Sequence, residues 1–305
     1  MAMLKTVGRL SRSMRDLVQN MKHAYLILVH NNFYVLHTLL KMIDDKRNDI
    51  YIHVDSKCKS FDYNKCKSVV ENSEIHFVKN YNVSWGGYSL IKAELSLMLE
   101  SYQRGGYGYY HLISGTDLPI KSQDYIHNFF DENFGYEFIT CATHVFTEKC
   151  SIISRFNTYH HTRNLFFLFL NAIKYKRYKY DFDVSFGSEW VSITESFVKC
   201  ILEHKGWINK HFNYSHTCDE VYKQCIALNT DFKDKIYCFP SNNLYISFNM
   251  RYIDWSSGGA HPKILTMSDI DKILKSNCIF ARKFDNLVDR EVIDYIYDRV
   301  TSGDD

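Results

Sequence analysis

The chain predicts a mixed α/β fold built on a mostly parallel sheet, and three observations predict it. Apolar runs of strand length alternate with helical patterns between residues 24 and 113. Those runs are apolar at successive positions, as in strands covered on both faces. The chain has 305 residues, 46% hydrophobic and 24% charged, enough to bury a large core between covering layers.

Taken in order, residues 24–29 form a continuous apolar run that predicts the first strand. Val35, Leu36, Leu39, Leu40 and Ile43 repeat at helical spacing. Residues 50–54 predict a second strand ending at Asp55, and residues 75–78 a third. Ile91, Leu95, Met98 and Tyr102 mark a further helix. Residues 109–113 predict a fourth strand after the Gly105-Gly106 turn. Ligands of such sheets lie beyond the carboxyl ends of the strands. His30, Asp55, Trp85 and the turn Ser114-Gly115-Thr116-Asp117 all follow strand ends.

The second half is less regular. Residues 138–140 and 191–194 read as strands, and residues 197–202, 221–228 and 268–275 as helices. Val288, Val292, Ile293, Ile296 and Val300 form a closing amphipathic helix. Residues 165–170 (Leu-Phe-Phe-Leu-Phe-Leu) precede Lys174, Lys176, Arg177 and Lys179 among tyrosines. Two readings stand: a core helix followed by a solvated loop, or a basic, aromatic lip that touches a membrane or a lipid-linked acceptor. In residues 1–20, Met3, Val7, Leu10, Met14 and Leu17 repeat at helical spacing among basic residues. This extension reads as an interfacial helix or as a leader before a start at Met21. The expected organisation is one compact unit over 21–305, with a nucleotide-binding half at 21–135 and an acceptor and diphosphate half at 136–305.

A net charge of +2 gives no reason to expect nucleic acid as a partner. Aromatics make up 16% of the chain, which suits stacking on ring-shaped ligands as well as core packing. Nine cysteines without zinc or redox spacing, and no secretory pattern, predict reduced thiols in a cytoplasm. No apolar run reaches the length of a membrane span. There is no Gly-x-Gly-x-x-Gly after the first strand, no Walker loop and no nucleophile elbow. Asp181-Phe182-Asp183 has the spacing of a divalent-ion motif but follows a Lys/Tyr-rich stretch instead of a buried strand. Asp269 and Asp271 read as acids complementing a helix start.

Near the carboxyl end, Cys278-Ile279-Phe280-Ala281-Arg282-Lys283-Phe284-Asp285 sets two adjacent cations in an apolar frame. A cation held against an apolar wall needs an anion, and a surface carboxylate or a bound phosphate meets that need. Further motifs precede it: residues 25–30 with Asp55, Ser84-Trp85-Gly86-Gly87, residues 112–119, Gly187-Ser188-Glu189-Trp190, Asp219-Glu220, residues 249–255, and His261-Pro262-Lys263. Each is weak alone. Together and in this order, over about residues 21 to 300, they resemble the core-2/I-branching family of glycosyltransferases, which holds β-1,6-N-acetylglucosaminyltransferases and peptide O-xylosyltransferases.

The resemblance implies a GT-A-like fold, a UDP-sugar donor, inversion at the anomeric carbon, and no metal or other cofactor. It implies Glu220 as the base and Lys283 as the first choice for the departing diphosphate. Lys263 stands where the branching enzymes place an upstream arginine, a departure from the pattern, with Arg282 and Arg251 in reserve. Val29, His30, Asp55 and Trp85 match the nucleoside edge, and Asp117, Glu189, Trp190, Asp219 and Trp255 the sugar and acceptor pocket. Each has a plainer alternative: Glu220 as a helix-start acid, Asp55 and Asp117 as turn formers, Lys263 as a surface lysine, Trp85 as core. The family's acceptor residues do not align in the middle segment, where Arg155, His160, His161 and Arg163 are candidates.

GlcNAc is the expected sugar, with xylose the alternative. The expected acceptor is a glycan or lipid-linked glycan of bacterial surface polysaccharide. The expected location is the cytoplasm, with peripheral membrane contact through residues 1–20 or 165–180. Two other classes remain: a non-catalytic glycan- or nucleotide-binding module, and a metal-dependent enzyme using Asp181 and Asp183.

Overall fold

The structure, a computed structural model, describes residues 21–142, 159, 164–173, 182–241, 244–259 and 261–303. Ten strands run β1 (Lys22–Val29), β2 (Asn48–Val54), β3 (Glu74–Phe77), β4 (Tyr107–Ser114), β5 (Leu118–Pro119), β6 (Val191–Thr194), β7 (Cys238–Ser241), β8 (Leu244–Ser247), β9 (Arg251–Ile253) and β10 (Phe280–Arg282) among the described residues. The helices are α1 (Phe33–Met42), α2 (Tyr63–Ser68), α3 (Tyr88–Arg104), α4 (Gln123–Glu132), α5 (Leu165–Ala172), α6 (Glu195–Glu203), α7 (Lys205–Phe212), α8 (Tyr222–Leu228), α9 (Ile270–Lys275) and α10 (Glu291–Ser302).

The main sheet has the order β3-β2-β1-β4-β6, parallel except for β6, which runs antiparallel to β4. Each strand of the predicted first half lies where its apolar run falls. β1 and β4 are buried on both faces, as continuous apolar runs require. Successive residues serve opposite layers: Tyr25, Ile27 and Val29 join a cluster with α1 and α10, while Ala24, Leu26 and Leu28 join one with α3, α6 and α8. Val29 pairs with Val54 and Leu28 with Ser114, so three strands finish almost level at one edge.

Two expectations change. Residues 138–140 do not form a strand; Phe138 makes a single bridge to Ser192, and Glu137 one to Ile236. The core-helix reading of residues 165–170 is overturned, because α5 has no buried residue. Its apolar stretch is long enough for a turn-and-a-half of helix, but among the described residues none of its side chains is fully buried. Lys174, Lys176, Arg177 and Lys179 lie outside the described residues, as do residues 1–20. No described helix is long and apolar enough to cross a membrane.

Inside the sheet lies a histidine chain. Arg251 donates to Ser192 Oγ at 2.8 Å, and Ser192 lies 2.7 Å from His111 Nδ1. The chain is satisfied with Ser192 O–H on that nitrogen and His111 Nε2–H on His23 Nδ1, 3.0 Å away. His23 stacks on His127 at 4.1 Å. Asn48 Nδ2 donates to Ile43 O and Gln123 Oε1, so its oxygen is left to accept from His127 Nε2–H at 2.9 Å. Every ring is neutral in this arrangement. Burial, then Arg47, pushes His127 down to about 4, with Asp45 and Asp124 opposing. Burial likewise holds His23 and His111 well below the ordinary histidine value.

The unfolded chain therefore binds extra protons once the pH falls below about 6.5, and stability drops until the native rings titrate. For His127 alone, buried and moved to about 4, the loss is on the order of 3 kcal/mol. Glu137, which burial pushes up to about 7, acts in the opposite sense between pH 7 and the ordinary carboxylate range. The difference between native chain and His127→Gln isolates the histidine. Urea unfolding at pH 7 and pH 5 should show a smaller acid loss in the variant; an equal loss in both would refute the assignment.

Candidate active site

The level strand ends form the floor of the site. Asp55 N–H donates to Val29 O at 2.8 Å, which joins the ends of β1 and β2. Its buried carboxylate accepts from Lys57 N at 3.0 Å and lies 3.3 Å from Lys57 Nζ. After β4 the chain turns through Gly115, whose N–H donates to Leu28 O at 3.0 Å. Asp117 closes that turn by accepting from Ser114 N–H at 3.0 Å.

The carboxyl-terminal cations arrive from the other side. β10 lies between β5, to which it is antiparallel, and β9, to which it is parallel. Beyond it, Phe284 N–H donates to Thr116 O at 3.0 Å and Leu265 N–H to Lys283 O at 2.9 Å. Lys283 is thus clamped between the Ser114–Asp117 turn and the segment after His261-Pro262. The Arg282 guanidinium lies 4.1 Å over the Trp190 ring and 3.5 Å from the fully buried Asp117 Oδ1. Burial raises the Asp117 pKa, with Arg282, Arg251 and Lys283 opposing. The Lys283 side chain is half-buried and has no ion-pair partner among the described residues. Partial burial and then the Lys283 ammonium lower the His30 pKa, with Asp55 opposing and Arg282 adding to the effect. Lys283, Arg282, His30 and Asp55 therefore share one neighbourhood.

The other two basic candidates are already engaged. Lys263 Nζ donates to the buried Asp269 at 2.6 Å, and Asp269 also completes a capping box with Thr266. Arg251 is buried in the sheet. Besides Ser192, it donates to Val191 O at 2.7 Å, to Asn249 O and, at 3.5 Å, to Leu112 O, and it faces the Phe280 ring. It ties β6 to β9, with its guanidinium taken up by these oxygens.

The acid side is assembled from three segments. Gly187 N–H donates to Glu220 O at 2.9 Å, and Gln224 Nε2 donates to Ser188 O at 2.8 Å. A Cβ on Gly187 would fall 1.6 Å from Thr140 O, so no other residue fits without moving backbone. Thr217 N–H donates to Gly86 O at 2.8 Å. Gly86 has φ +66°, and a Cβ there would sit 2.9 Å from His216. Asp219 and Glu220 occupy a single 3₁₀ turn, Cys218–Glu220, with Asp219 buried and Glu220 half-buried. Trp85, 61% exposed, meets His216 and His261 edge-on at 5.6 and 5.9 Å. Its loop is held at the other end by Lys57 Nζ donating to Val83 O at 2.6 Å. Trp85 thus bridges the Asp55 edge and the Glu220 turn. Trp255 is also exposed, in the loop closed by Lys263 N–H donating to Asp254 O at 2.8 Å.

Beneath the turn lies a group that motif reading missed. Lys223, fully buried, donates to Glu94 Oε2 at 2.6 Å and to Asp219 O at 2.9 Å; Tyr222 O–H donates to the same Glu94 oxygen at 2.5 Å. Burial raises the Glu94 pKa, with Lys223 opposing and Asp219 adding. Burial also raises Glu189 well above the carboxylate range, and Asp219 and Glu94 raise it further. A signal existed: Glu94 falls on the buried stripe Ile91, Leu95, Met98, and Lys223 inside the apolar run of α8. A charge on such a stripe must find a partner.

The remaining candidates are placed less fully. Arg155, His160, His161, Arg163 and Asp181 lie outside the described residues. Asp183 is exposed, and its backbone exchanges two hydrogen bonds with the Asn229 side chain. No cluster of three or more metal-ligating side chains occurs among the described residues.

A family model described as core-2/I-branching enzyme matches residues 23–275. The match includes Asp55, Trp85, Asp117, Glu189, Glu220 and Lys263; Arg282 and Lys283 lie beyond its end. No curated protein matches the chain. Among solved structures, the chain is similar to mouse xyloside xylosyltransferase 1 in its apo form. That likeness has 9% identity and a TM-score of 0.39, and covers 85% of this chain and 96% of the mouse one.

Proposed function

The chain belongs to the core-2/I-branching enzyme family and is a glycosyltransferase, and on that premise we propose that it is an inverting, metal-independent enzyme transferring GlcNAc from UDP-GlcNAc to a glycan hydroxyl. The observation that carries the reading is Lys283: a half-buried ammonium without an ion-pair partner among the described residues, beside Arg282, at the edge where β1, β2 and β4 end. A preorganised cation lacking its own anion is suited to a diphosphate.

The chemistry follows from the placement. The uridine lies along the edge of Val29, His30 and Asp55, where the buried Asp55 carboxylate can accept from the base or ribose. The diphosphate faces Lys283, with Arg282 held behind it by Trp190 and Asp117. The acceptor oxygen attacks the anomeric carbon as the bond from that carbon to the β-phosphate oxygen breaks. The bonding pair leaves with UDP, and Lys283 meets the charge that develops there. Glu220 takes the acceptor proton, and one carboxylate suffices because a single displacement forms no covalent intermediate. Glu189 and Trp190 line the sugar, with Asp117, Asp219 and the exposed Trp85 and Trp255 toward the acceptor. A lipid-linked glycan of a surface polysaccharide is the acceptor class we favour, with UDP-xylose the alternative donor.

Thermal shift with UDP, UDP-GlcNAc, UDP-xylose and GDP-mannose, each with and without EDTA, tests the donor. Uridine ligands should raise the midpoint equally in both conditions, by the equivalent of about 2.7 kcal/mol at a hundredfold excess over Kd. UDP-GlcNAc should exceed UDP-xylose, and GDP-mannose should do nothing. Silence from every uridine ligand would remove the donor assignment, and a shift lost in EDTA and restored by Mn²⁺ would remove metal independence.

A further inference from the structure

We propose that Lys223 is a positioning residue for Glu220: anchored by Glu94, its ammonium holds the Asp219 carbonyl and thereby sets where the base points. This rests on Glu220 being the base and deepens that reading. The turn that carries Glu220 has little regular structure to hold it. Cys218–Glu220 is a single 3₁₀ turn, too short for a helical ladder of its own. The chain enters it through Thr217, a β-branched residue at φ +48°, and leaves it through Val221 at φ −135°, outside helical geometry. Backbone of this kind keeps one conformation only where its neighbours fix it. All three carbonyls of the turn are tied. Cys218 O accepts from Val221 N–H at 3.1 Å, Asp219 O from Lys223 Nζ at 2.9 Å, and Glu220 O from Gly187 N–H at 2.9 Å. The first and third donors are backbone groups, and the middle one is a side chain. The Asp219 carbonyl belongs to the rigid peptide plane that leads into Glu220, so rotation of that plane swings the Glu220 side chain.

Lys223 can aim a carbonyl because it is itself held. It is fully buried, and so is Glu94 on α3, whose Oε2 accepts from Nζ at 2.6 Å. Tyr222 O–H donates to the same oxygen, and the ammonium lies 4.4 Å from the centre of the Tyr222 ring. The helix α3 begins just after the Trp85-Gly86 loop, where Gly86 O accepts from Thr217 N–H at 2.8 Å. The turn is therefore pinned to one element at two points, Thr217 and Asp219. Stability alone does not account for the pair. Burying two charges costs about as much as their attraction returns, and apolar residues of similar volume pack as well. Apolar residues cannot direct a peptide plane. The next residue, Gln224, donates to Ser188 O at 2.8 Å, so the first turn of α8 fixes the Gly187–Trp190 segment as well as the Glu220 turn.

Lys223→Met alone would strand the buried Glu94 carboxylate, so the test compares two other variants. Glu94→Gln breaks the ion pair and leaves the Nζ donor. Glu94→Gln/Lys223→Met removes the donor and leaves no buried charge behind. The readout is UDP release from saturating UDP-GlcNAc with water as the acceptor, beside the UDP thermal shift. The double variant should turn over at least about tenfold more slowly than Glu94→Gln, with the same UDP shift in both. Added to Glu220→Gln, the same two changes should differ by less than about twofold, because an absent base cannot be misplaced. Equal turnover in the two variants would overturn the positioning role. So would a UDP shift that falls together with turnover, which is a general loosening of the cleft. A full tenfold loss in the Glu220→Gln background would also overturn it, by placing the effect on another group. Native turnover in Glu220→Gln by itself would instead remove the base reading, and that variant leaves Glu94 and Lys223 untouched.

Discussion

A Glu220→Gln enzyme should bind UDP as tightly as the native chain and transfer sugar at least about a hundredfold more slowly. Glutamine keeps the size of the side chain and removes only its capacity to take a proton. The turn that carries it should survive, because its anchors are backbone groups: Gly187 N–H on Glu220 O and Thr217 N–H on Gly86 O. The loss belongs in kcat, since the acceptor proton moves only as the displacement proceeds. The rise of rate with pH that reports a titrating base should vanish as well. Steady-state transfer assays across pH, with calorimetric UDP binding alongside, check both parts. A variant with native kcat would move the base elsewhere, and Asp219 in the same turn would be next to replace.

Lys283→Met should lose about a hundred- to a thousandfold in turnover and should also weaken UDP, because the ammonium acts on the ground-state diphosphate and more strongly on the leaving one. Lys283→Arg should recover part of the loss, since it returns the charge with a different reach. The fold should tolerate either change, for the side chain has no ion-pair partner among the described residues to strand. Lys263→Met provides the contrast. It leaves the buried Asp269 without its 2.6 Å partner, so its cost should appear in the unfolding midpoint first. Single-turnover rates and UDP affinities of the Lys283 variants decide the matter; native values in Lys283→Met would leave the diphosphate without its cation.

The first half of the fold was legible because a buried parallel sheet writes each strand as a local run. Residues 24–29, 50–54, 75–78 and 109–113 lie within or beside β1 to β4, and the strand ends bring His30, Asp55 and Asp117 to one edge. The placement of β10 was not legible. A three-residue strand at Phe280 pairs with Leu118 and Arg251 neighbours far away in the chain, and no local pattern encodes that. The same limit hid what Arg251 does: a basic residue in an aromatic motif looks available to a ligand until Val191, Ser192 and Asn249 are seen around it. For α5, composition named an apolar helix but not its surroundings, and burial depends on whether the fold supplies a second wall. Glu94 and Lys223 were visible as charges on apolar stripes, yet their pairing spans 129 positions.

Beneath the Asp219–Glu220 turn the Lys223 ammonium pairs with Glu94 and donates to Asp219 O, with Glu189 also within its electrostatic reach. Burial, with Asp219 beside them, raises both the Glu94 and the Glu189 carboxyl, so each holds its proton more tightly than an exposed carboxyl does. A nucleotide sugar that alters this burial should exchange protons with the solvent, and calorimetric titrations in buffers of different ionisation heat should then give different apparent enthalpies; equal enthalpies would refute the link.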